Sequence, residues 1–391
     1  MSDEPPASAE APRVGLVTIA REWGRIGAIS FGGPPAHITL LRQLCVQRRR
    51  WLTDTEFEDG IAATNLLPGP ASTQLAIFCA WRLAGPLGAL VGGVCFIAPG
   101  LIVILALSAL FLAERPPRWV AGAAAGAAGA VPAVAAHAAI ELVPAAWRRA
   151  GPRRPDRIRW VLYLVAGGAA AATLGPWLVL ALLACGVTET AVRTGAGSGR
   201  SAMPPVLAVP AVATGGLVAV AWVALKVGAL SYGGGFVIIP LMQHDAVERY
   251  HWMTGPQFLD AVALGQVTPG PVVQTVAVVG YAAAGLTGGL LAAAVAFAPS
   301  FTFVLAIGPR FERLRRSRLV QSFLTGAGAA AIGAIAGTTV PLSLLLGHAW
   351  QVAVLVLAAA WLLVFRYGVV VTLLAGGLLG VVAAVAGAPL T

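Results

Sequence analysis

The sequence predicts an all-α polytopic membrane protein built from two homologous halves, and three observations support this fold class. First, 58% of its 391 residues are hydrophobic and only 11% are charged, whereas soluble domains carry about 25% charged residues. Second, several apolar runs approach or exceed the roughly 20 residues that a helix needs to cross a bilayer. Third, one long stretch of the sequence occurs twice. Together these properties exclude a soluble globular protein.

The duplicated stretch covers positions 27–70 and, without a gap, positions 228–271. Both copies contain a Gly-Gly pair near the start, a Trp-x-Thr motif in the middle and Pro-Gly-Pro at the end. Similarity at a constant offset indicates two structural repeats. The start of the chain is acidic and Pro-rich, and it lacks the basic segment that opens a signal peptide. We therefore expect a disordered tail (1–12), an N-terminal repeat (13–192), a linker (193–205) and a C-terminal repeat (206–391).

Each repeat contains two interruptions that predict broken helices. In the first repeat the motif FGGPP interrupts an apolar segment, because Pro and Gly disfavour a helix interior. One helix should end near Phe31 and the next should begin near Ala36. The segment Glu56–Trp81 is split by the motif LPGP into arms too short to cross a bilayer. It therefore predicts a re-entrant hairpin whose tip is the Pro-Gly-Pro motif.

The remaining apolar runs predict full or partial spans, which bring the total to about 10–12 membrane segments. In chain order these runs are Gly85–Leu112, Trp119–Leu142, Trp160–Leu174, Pro176–Val192, Val206–Leu230, Leu286–Ile307 and Tyr367–Val385.

The distribution of Arg residues predicts the orientation of the spans. The loops Arg42–Arg50, Arg148–Arg159 and Arg310–Arg318 are strongly basic and should face the cytoplasm. The loop Gln243–Trp252 is the repeat counterpart of the first of these, but it carries acidic residues and should lie outside. The two copies therefore have opposite orientations, as in the inverted repeats of secondary transporters. This placement accounts for the net charge of +10 without a nucleic-acid partner.

Helix ends inside a membrane favour an anion site. Broken helices are tolerated there only where they line a cavity or pack on protein, and their N-termini present free N–H groups and a positive dipole end. After each Pro-Gly-Pro motif, the N–H groups of residues 71–73 and 272–274 should be free. The candidate substrate-binding residues at the breaks and tips are Ser30, Gly32, Gly33, His37, Asn65, Gly69, Ser72, Thr73, Gln74, Ser231, Gly233, Gly234, Gln266, Gly270, Gln274 and Thr275.

Two pairs of charged residues recur at equivalent positions of the repeats. Arg25 and Lys226 precede the shared Gly by two residues. A charge within a membrane is expensive and commonly functional, so we expect this pair to face a bound anion; alternatively, both side chains reach the membrane surface. Asp59 and Asp260 are candidates for proton coupling, or they stabilise the starts of their helices. His37 has no polar counterpart in the second repeat.

The motifs resemble those of the chromate ion transporter family. The resemblance rests on FGGP at 31–34 and LPGPAS at 67–72 in the first half, and on YGGG at 232–235 and PGP at 269–271 in the second. It implies a bacterial or archaeal inner-membrane protein that exports chromate and confers resistance. Tyr232 stands where the family often has Phe, and Asn65 stands where Gln is frequent. These departures concern the identity of the substrate more than the family.

Other functions are weighed against export of chromate. Sulfate has the same shape and charge as chromate, so a sulfate transporter is the nearest alternative. No Walker motif is present, so ATP is not expected to be the direct energy source. A membrane enzyme, such as an intramembrane hydrolase or a chromate reductase, is disfavoured because the run around Ser231 lacks a His at matching depth and no flavin or nicotinamide fingerprint follows a strand. A membrane scaffold without transport activity would not need duplicated broken helices with charged partners. The four Cys show no paired spacing, and we expect neither a metal nor a cofactor. The expected partners are an oxyanion, the lipid bilayer and, in a homodimer, a second copy of the chain.

Overall fold

The computed structural model describes residues 14–65, 67–113, 115–173, 177–195, 216–231, 236–307 and 317–390. Within these ranges the chain forms helices and no strand. The expected tail, nearly all of the expected linker, the candidate residues Gly233 and Gly234, and most of the basic segment Arg310–Arg318 lie outside the described residues. The division of the chain into repeats and linker stays a prediction.

The described part of the first half contains seven α-helices: α1 (Leu16–Ile29), α2 (Pro34–Arg42), α3 (Asp54–Thr64), α4 (Ala71–Phe111), α5 (Arg118–Ala150), α6 (Arg154–Thr173) and α7 (Leu178–Thr194). The described part of the second half contains α8 (Leu217–Leu230), α9 (Ile239–Gln243), α10 (Gly255–Val267), α11 (Thr275–Ile307), α12 (Arg318–Gly337), α13 (Thr339–Leu344), α14 (Ala349–Leu363) and α15 (Val369–Val385). Among the residues that the structure describes, four helical stretches are long and apolar enough to cross a membrane, namely Ala71–Phe111, Arg118–Ala150, Val272–Ala306 and Arg318–Leu344. The chain is therefore a polytopic helical membrane protein, as predicted.

The two halves repeat the same local structure. Thr53 caps α3 through a reciprocal capping box with Glu56, and Thr254 caps α10 in the same way. Both long helices that follow, α4 and α11, are kinked at an Ala-Gly pair whose Gly has a positive φ. The alignment of positions 27–70 with 228–271 needs no gap, whereas the kinks at Gly85 and Gly285 and the following Pro99 and Pro299 match at an offset one residue shorter.

A hydrogen-bonded ion pair fixes the base of the first hairpin. Glu56 on α3 accepts hydrogen bonds from the Arg82 side chain on α4 and from the Thr53 backbone. Burial disfavours the charged carboxylate, but these hydrogen bonds outweigh burial and hold the pKa of Glu56 below its usual range. The two arms of the hairpin are thus fastened where they return to the surface.

The expected helix breaks are present within a few residues of their expected positions. Helix α1 ends at Ile29 and α2 begins at Pro34, which occupies the first position of the helix, where its missing N–H is tolerated. The hairpin of α3 and α4 encloses the first Pro-Gly-Pro motif. Its second arm ends at Ala84 and Gly85, whose backbone angles are not helical, so α4 consists of the hairpin arm and a second helix, close to the predicted boundary between Trp81 and Gly85.

The two charged loops adopt helical structure that the sequence analysis did not foresee. Gln43–Arg48 and His244–Arg249 form π-helical segments that continue α2 and α9. In the first of them, Leu44 and Cys45 are buried while the neighbouring Arg48 is exposed. The segments are therefore amphipathic, which explains how a run rich in charge remains helical instead of forming a loop. The expected opposite orientation of the two segments stays a prediction.

The two halves are joined because a long helix of each half packs against the last two helices of the other half. Helix α5 of the first half packs against α14 and α15 of the second, while α12 of the second half packs against α6 and α7 of the first. Small residues permit close approach: a Cβ on Gly126 of α5 would meet the backbone of Gly376 and Gly380 on α15. In this arrangement each half completes the packing of the other, and α4 and α11 contact each other at the centre.

Candidate functional site

The two Pro-Gly-Pro tips cross into the opposite half of the molecule. The backbone N–H of Gly69 donates to the carbonyl oxygen of Ser231 over 2.6 Å, and the N–H of Gly270 donates to that of Ser30 over 3.0 Å. Ser30 and Ser231 are the equivalent residues that follow α1 and α8. Each tip therefore hydrogen-bonds the carbonyl group at the end of the broken helix in the other repeat. We call these two contacts the first crossing (at Gly69) and the second crossing (at Gly270).

The sequence of the tips accounts for their shape. Gly69 and Gly270 have φ angles of +121° and +96°, which side chains other than glycine rarely adopt. The flanking Pro residues fix φ and end the preceding helices. Helix α4 then begins after Pro70 without a side-chain cap. The tip thus ends in a helix N-terminus whose first N–H groups point away from the helix.

At the first crossing, a glutamine and a serine surround Gly69. Gln74 Nε2 donates back to the carbonyl oxygen of Pro68 over 2.7 Å. Ser300 on α11 places its hydroxyl 3.2 Å from the position that a Cβ on Gly69 would take, and the Gln74 amide lies closer still. The first tip therefore has no room for a larger residue at Gly69.

At the second crossing, the glutamine is used differently from the expectation. The N–H of Gln274 donates to the carbonyl oxygen of Pro271 over 2.9 Å, so the expected free N–H is occupied by a short 3-10 turn. Its Nε2 donates to the carbonyl oxygen of Ile97 on α4 over 2.8 Å. The Gln274 side chain thus connects the second tip to α4 of the first half, while its backbone N–H serves the tip itself.

His37 breaks the symmetry of the two crossings. The side chain is fully buried, its Nδ1 lies 2.9 Å from Ser72 Oγ, and its ring packs edge-on against Phe96 with the centroids 5.1 Å apart. The backbone of Ser30 and of Gly270 lies next to the imidazole. His37 therefore joins α2, α4 and the second crossing in one contact.

A cavity of about 890 Å³ opens beside the first crossing. Its walls include the starts of three helical stretches: Pro34 of α2, Ala71 of α4 and Val272, where the chain enters α11. Five candidate residues line it, namely Gly32, Gly33, Asn65, Gly69 and Gln266. At least three half-helix N-termini with their positive dipole ends therefore face one space.

The other candidates are distributed around this cavity. Those buried at the two crossings are Ser30, His37, Ser72, Thr73, Gln74, Ser231, Gly270, Gln274 and Thr275. Asp59 and Asp260 are half-buried at equivalent positions of α3 and α10. Gly233 and Gly234 lie outside the described residues.

The two expected cations do not face the cavity as a pair. Arg25 is exposed on α1, whereas Lys226 forms an ion pair with the buried carboxylate of Asp245 and lies over the Trp222 ring. The repeat alignment correctly matched the two positions in the chain, but burial differs between the halves. Their role in binding an anion stays a prediction.

Many buried polar atoms at the crossings have no hydrogen-bond partner. Among the described residues, every such side-chain atom except Trp160 Nε1 belongs to the two crossings or the cavity wall: Ser30 Oγ, His37 Nε2, Thr73 Oγ1, Gln74 Oε1, Ser231 Oγ, Gln266 Nε2, Gln274 Oε1 and Ser300 Oγ. An unsatisfied buried polar group is costly. The concentration of such groups in one place therefore favours a polar ligand-binding region.

Sequence reasoning missed several residues of this region. Ser300 lies in a long apolar run, and its repeat counterpart is Gly100, so the alignment gave no signal for it. The cavity wall also includes His137, Glu141, Arg148 and Arg149 on α5. His137, Glu141 and Arg148 lie near one helix face by their spacing of four and seven residues, but the run was read only as a membrane span that ends in a basic loop.

Comparisons with known proteins identify sequence relatives of this chain. The family profile described as "Chromate transporter" matches residues 17–189 and 218–381. The chromate transport protein of Cupriavidus metallidurans is 32% identical over 85% of this chain and 84% of its own length. That of Pseudomonas aeruginosa is 33% identical over 91% of this chain and 89% of its own length. No solved structure matches the chain.

Proposed function

This chain belongs to the chromate transporter family, and from that premise we propose that it exports chromate as a secondary transporter that works by alternating access. Two relatives that it covers nearly end to end are named chromate transport proteins. The proposed location is the cytoplasmic membrane of a bacterium, and the proposed consequence is resistance to chromate.

One observation carries the proposal: several half-helix N-termini converge on one cavity. The dipole ends at Pro34, Ala71 and Val272 each contribute a partial positive charge. Asn65 and Gln266 add amide groups to the wall, and Gln266 Nε2 has a free donor. A tetrahedral dianion is the kind of ligand that such donors and dipoles stabilise.

The cavity also supports a direction of access. It extends to Arg148 and Arg149 in the last turn of α5, and both side chains are exposed. Basic helix ends are placed in the cytoplasm by the positive-inside rule. The structure is thus consistent with a state open to the cytoplasm, from which an exporter would load its substrate.

Uptake into inside-out membrane vesicles tests the function. Vesicles from cells that express the chain should accumulate chromate, and vesicles that carry Gly69→Leu at the same insertion level should not. Excess sulfate as a competitor distinguishes a chromate transporter from a sulfate transporter. Weak inhibition of chromate uptake supports chromate as the substrate, and strong inhibition together with sulfate uptake supports sulfate. Vesicles that take up neither anion would contradict a transport function.

A further inference from the structure

An acidic side chain lies on the wall of the cavity that is proposed to hold an anion. Glu141 of α5 is the one carboxylate among the described residues that line this cavity. Its Oε1 lies 3.3 Å from Nε2 of His137, one turn earlier on the same helix, and His137 also lines the cavity. A negative charge at this place repels an oxyanion. The helix N-termini therefore do not account for this part of the wall.

The carboxylate lies on the way into the cavity. Arg148 and Arg149 line the cavity from the last turn of α5, and Glu141 lies about two turns before them on the helix. Neither arginine forms an ion pair with Glu141 in the described part of the chain. An anion that enters past the two arginines and moves along α5 therefore reaches a carboxylate whose only cationic partner is His137, and only when that imidazole is protonated.

The helices packed against α5 add no further charge to the cavity wall. These helices are α4, α6, α10, α12, α13, α14 and α15, and the last three contain no ionisable side chain. The ionisable residues described on the others and next to α14 and α15, none of which lines the cavity, are Cys79, Arg82, Cys95, Arg154, Asp156, Arg157, Arg159, Tyr163, Asp260, Arg318, His348, Arg366 and Tyr367. Within the described residues, the charge of the wall is therefore set by His137, Glu141, Arg148 and Arg149.

We propose that His137 and Glu141 form a proton-binding site, and that a proton taken up by this pair accompanies the anion into the cavity. An imidazole gains or loses a proton between pH 5 and 8. With a neutral imidazole the pair carries one negative charge; when the imidazole takes a proton from water, the pair becomes a neutral ion pair. This inference rests on the proposed function, because it assigns a second ion to the same cavity.

The anion and the proton should favour each other's binding. A dianion is repelled by the pair in its negative state and not in its neutral state. By linkage, the anion favours proton uptake by the same factor by which the proton favours the anion. The affinity for a dianion should therefore rise as the pH falls from 8 to 6. Since the repulsion scales with the charge of the anion, dianions gain more than monoanions.

Chromate binding to the purified full chain between pH 6 and pH 8 tests the proton site. The affinity of the wild type should rise about 3- to 10-fold more over this range than the affinity of His137→Gln. Chromate's own protonation cancels in this comparison, because both proteins are measured in the same solutions. Glu141→Gln should bind chromate about 3- to 10-fold more tightly than wild type at pH 8, because the repelling charge is gone.

The chain contains a matched control pair outside the cavity. His244 and Glu248 have the same spacing, with His244 Nδ1 2.7 Å from Glu248 Oε2, and the Glu248 side chain is 59% exposed, as is that of Glu141. Neither residue lines the cavity. His244→Gln should therefore keep the wild-type pH dependence, and Glu248→Gln should keep the wild-type affinity at pH 8.

Two results would overturn the proton site while leaving chromate transport in place. One is an equal pH dependence of chromate binding in wild type and His137→Gln. The other is an equal effect of His137→Gln and His244→Gln. If His137→Gln does not fold, Glu141→Gln decides by itself, since its side chain is largely exposed; an unchanged or lower affinity at pH 8 would then contradict the proposal.

Sulfate as a second probe separates this proposal from the proposed function. Sulfate remains a dianion over this pH range, so its binding should show the same difference between wild type and His137→Gln. A chain that binds sulfate with this pH dependence but binds no chromate would support the proton site and count against chromate as the substrate. Binding of neither anion at any pH would overturn both proposals.

Discussion

The ion pair between Lys226 and Asp245 gives the second repeat a buried charge at a position where the first repeat has none. The Asp245 side chain is 3% exposed, and Leu44 occupies the equivalent position of the first repeat. Arg25, the counterpart of Lys226, is exposed. Two residues that the alignment pairs thus have different surroundings, and their substitution should have different consequences.

Lys226→Gln should lower the free energy of unfolding by about 3–5 kcal/mol, because it leaves a buried carboxylate without its partner. Arg25→Gln should change it by less than about 0.5 kcal/mol, as expected for an exposed side chain. Unfolding in detergent at matched protein concentration measures both values. Equal losses in the two variants would contradict the structural difference between the repeats.

The double variant Lys226→Gln with Asp245→Asn separates stability from substrate binding. Removal of both charges should restore most of the lost stability. If this variant transports chromate with wild-type affinity, Lys226 serves only Asp245; a raised KM for chromate at restored stability would show that Lys226 also acts on the anion.

The first tip depends on glycine for two reasons that can be separated. Gly69→Ala imposes strain at a positive φ and also pushes a Cβ against the Gln74 amide. Gly85→Ala imposes similar strain at a φ of +63°, but its Cβ would meet no atom within 4 Å. Chromate uptake per inserted protein should therefore fall more than about tenfold in Gly69→Ala, because a closely packed region does not tolerate even one added methyl group. Uptake should stay near wild type in Gly85→Ala. Similar losses in both variants would assign the effect to backbone strain alone.

Some of these residues could be found from sequence and others could not. The repeat alignment identifies Gly69 and Gly270 because their backbone conformation restricts both positions to glycine. It cannot identify Ser300, which replaces a glycine of the first half, nor the pairing of Lys226 with Asp245. These contacts depend on which helix faces pack together. An alignment of the two halves shows which residues are equivalent but not which helix faces are in contact.

At the scale of elements, a glycine of α1 lets this helix pack closely on α4. A Cβ on Gly27 would overlap the carbonyl group of Phe96, whereas a Cβ on Gly24, one turn earlier, would lie 3.7 Å from the carbonyl oxygen of Cys95. The equivalent Gly228 meets the backbone of Ala296 in the same manner. Both repeats therefore use a glycine to bring the first helix against the long central helix.

Gly27→Ala should lower the free energy of unfolding by about 1–3 kcal/mol because of overpacking. Gly24→Ala makes the same chemical change on the same helix and should be neutral or stabilising by up to about 1 kcal/mol, since Ala is the better helix former. Thermal midpoints of the two purified variants provide the comparison. A neutral Gly27→Ala would mean that α1 and α4 separate readily.

The positions of the breaks were predictable because Pro and Gly act locally. The break at Ala84 and Gly85 is among them, because a Gly-Pro pair follows the first hairpin in the sequence. The π-helical segments were missed: their widened turns place Leu44 and Cys45 inward and depend on the packing of the neighbouring helices.

At the scale of the whole molecule, the cavity predicts where the anion enters. Arg148 and Arg149 lie on its wall, whereas Arg153 and Arg154 follow in the same basic region without lining it. The double variant Arg148→Gln with Arg149→Gln should raise the KM for chromate about 3- to 10-fold at low salt, because local positive charge concentrates an anion. The effect should shrink at high ionic strength.

The control for this prediction is the double variant Arg153→Gln with Arg154→Gln, which removes the same net charge. Its KM should change by less than twofold. Equal effects of the two double variants would show that only the overall charge of the region matters and that the anion does not enter past α5.

The predicted inverted orientation of the repeats can be tested directly by labelling. In a chain whose four natural Cys are replaced, Arg48→Cys and Arg249→Cys should react with a membrane-impermeant reagent from opposite sides of the membrane. Reaction of both from the same side would mean that the repeats run parallel.

The exchange of closing helices between the halves has a consequence for how this protein is made. Synthesis delivers the N-terminal repeat to the membrane first, so α5 must wait there, with its glycine face uncovered, until α14 and α15 have left the ribosome. During that interval the face of α5 that later contacts Gly376 and Gly380 is accessible to the insertion machinery and to membrane proteases. Maturation is therefore a single late event, completed when the last helix docks, and a chain truncated before α15 should be cleared by quality control instead of persisting as half a transporter.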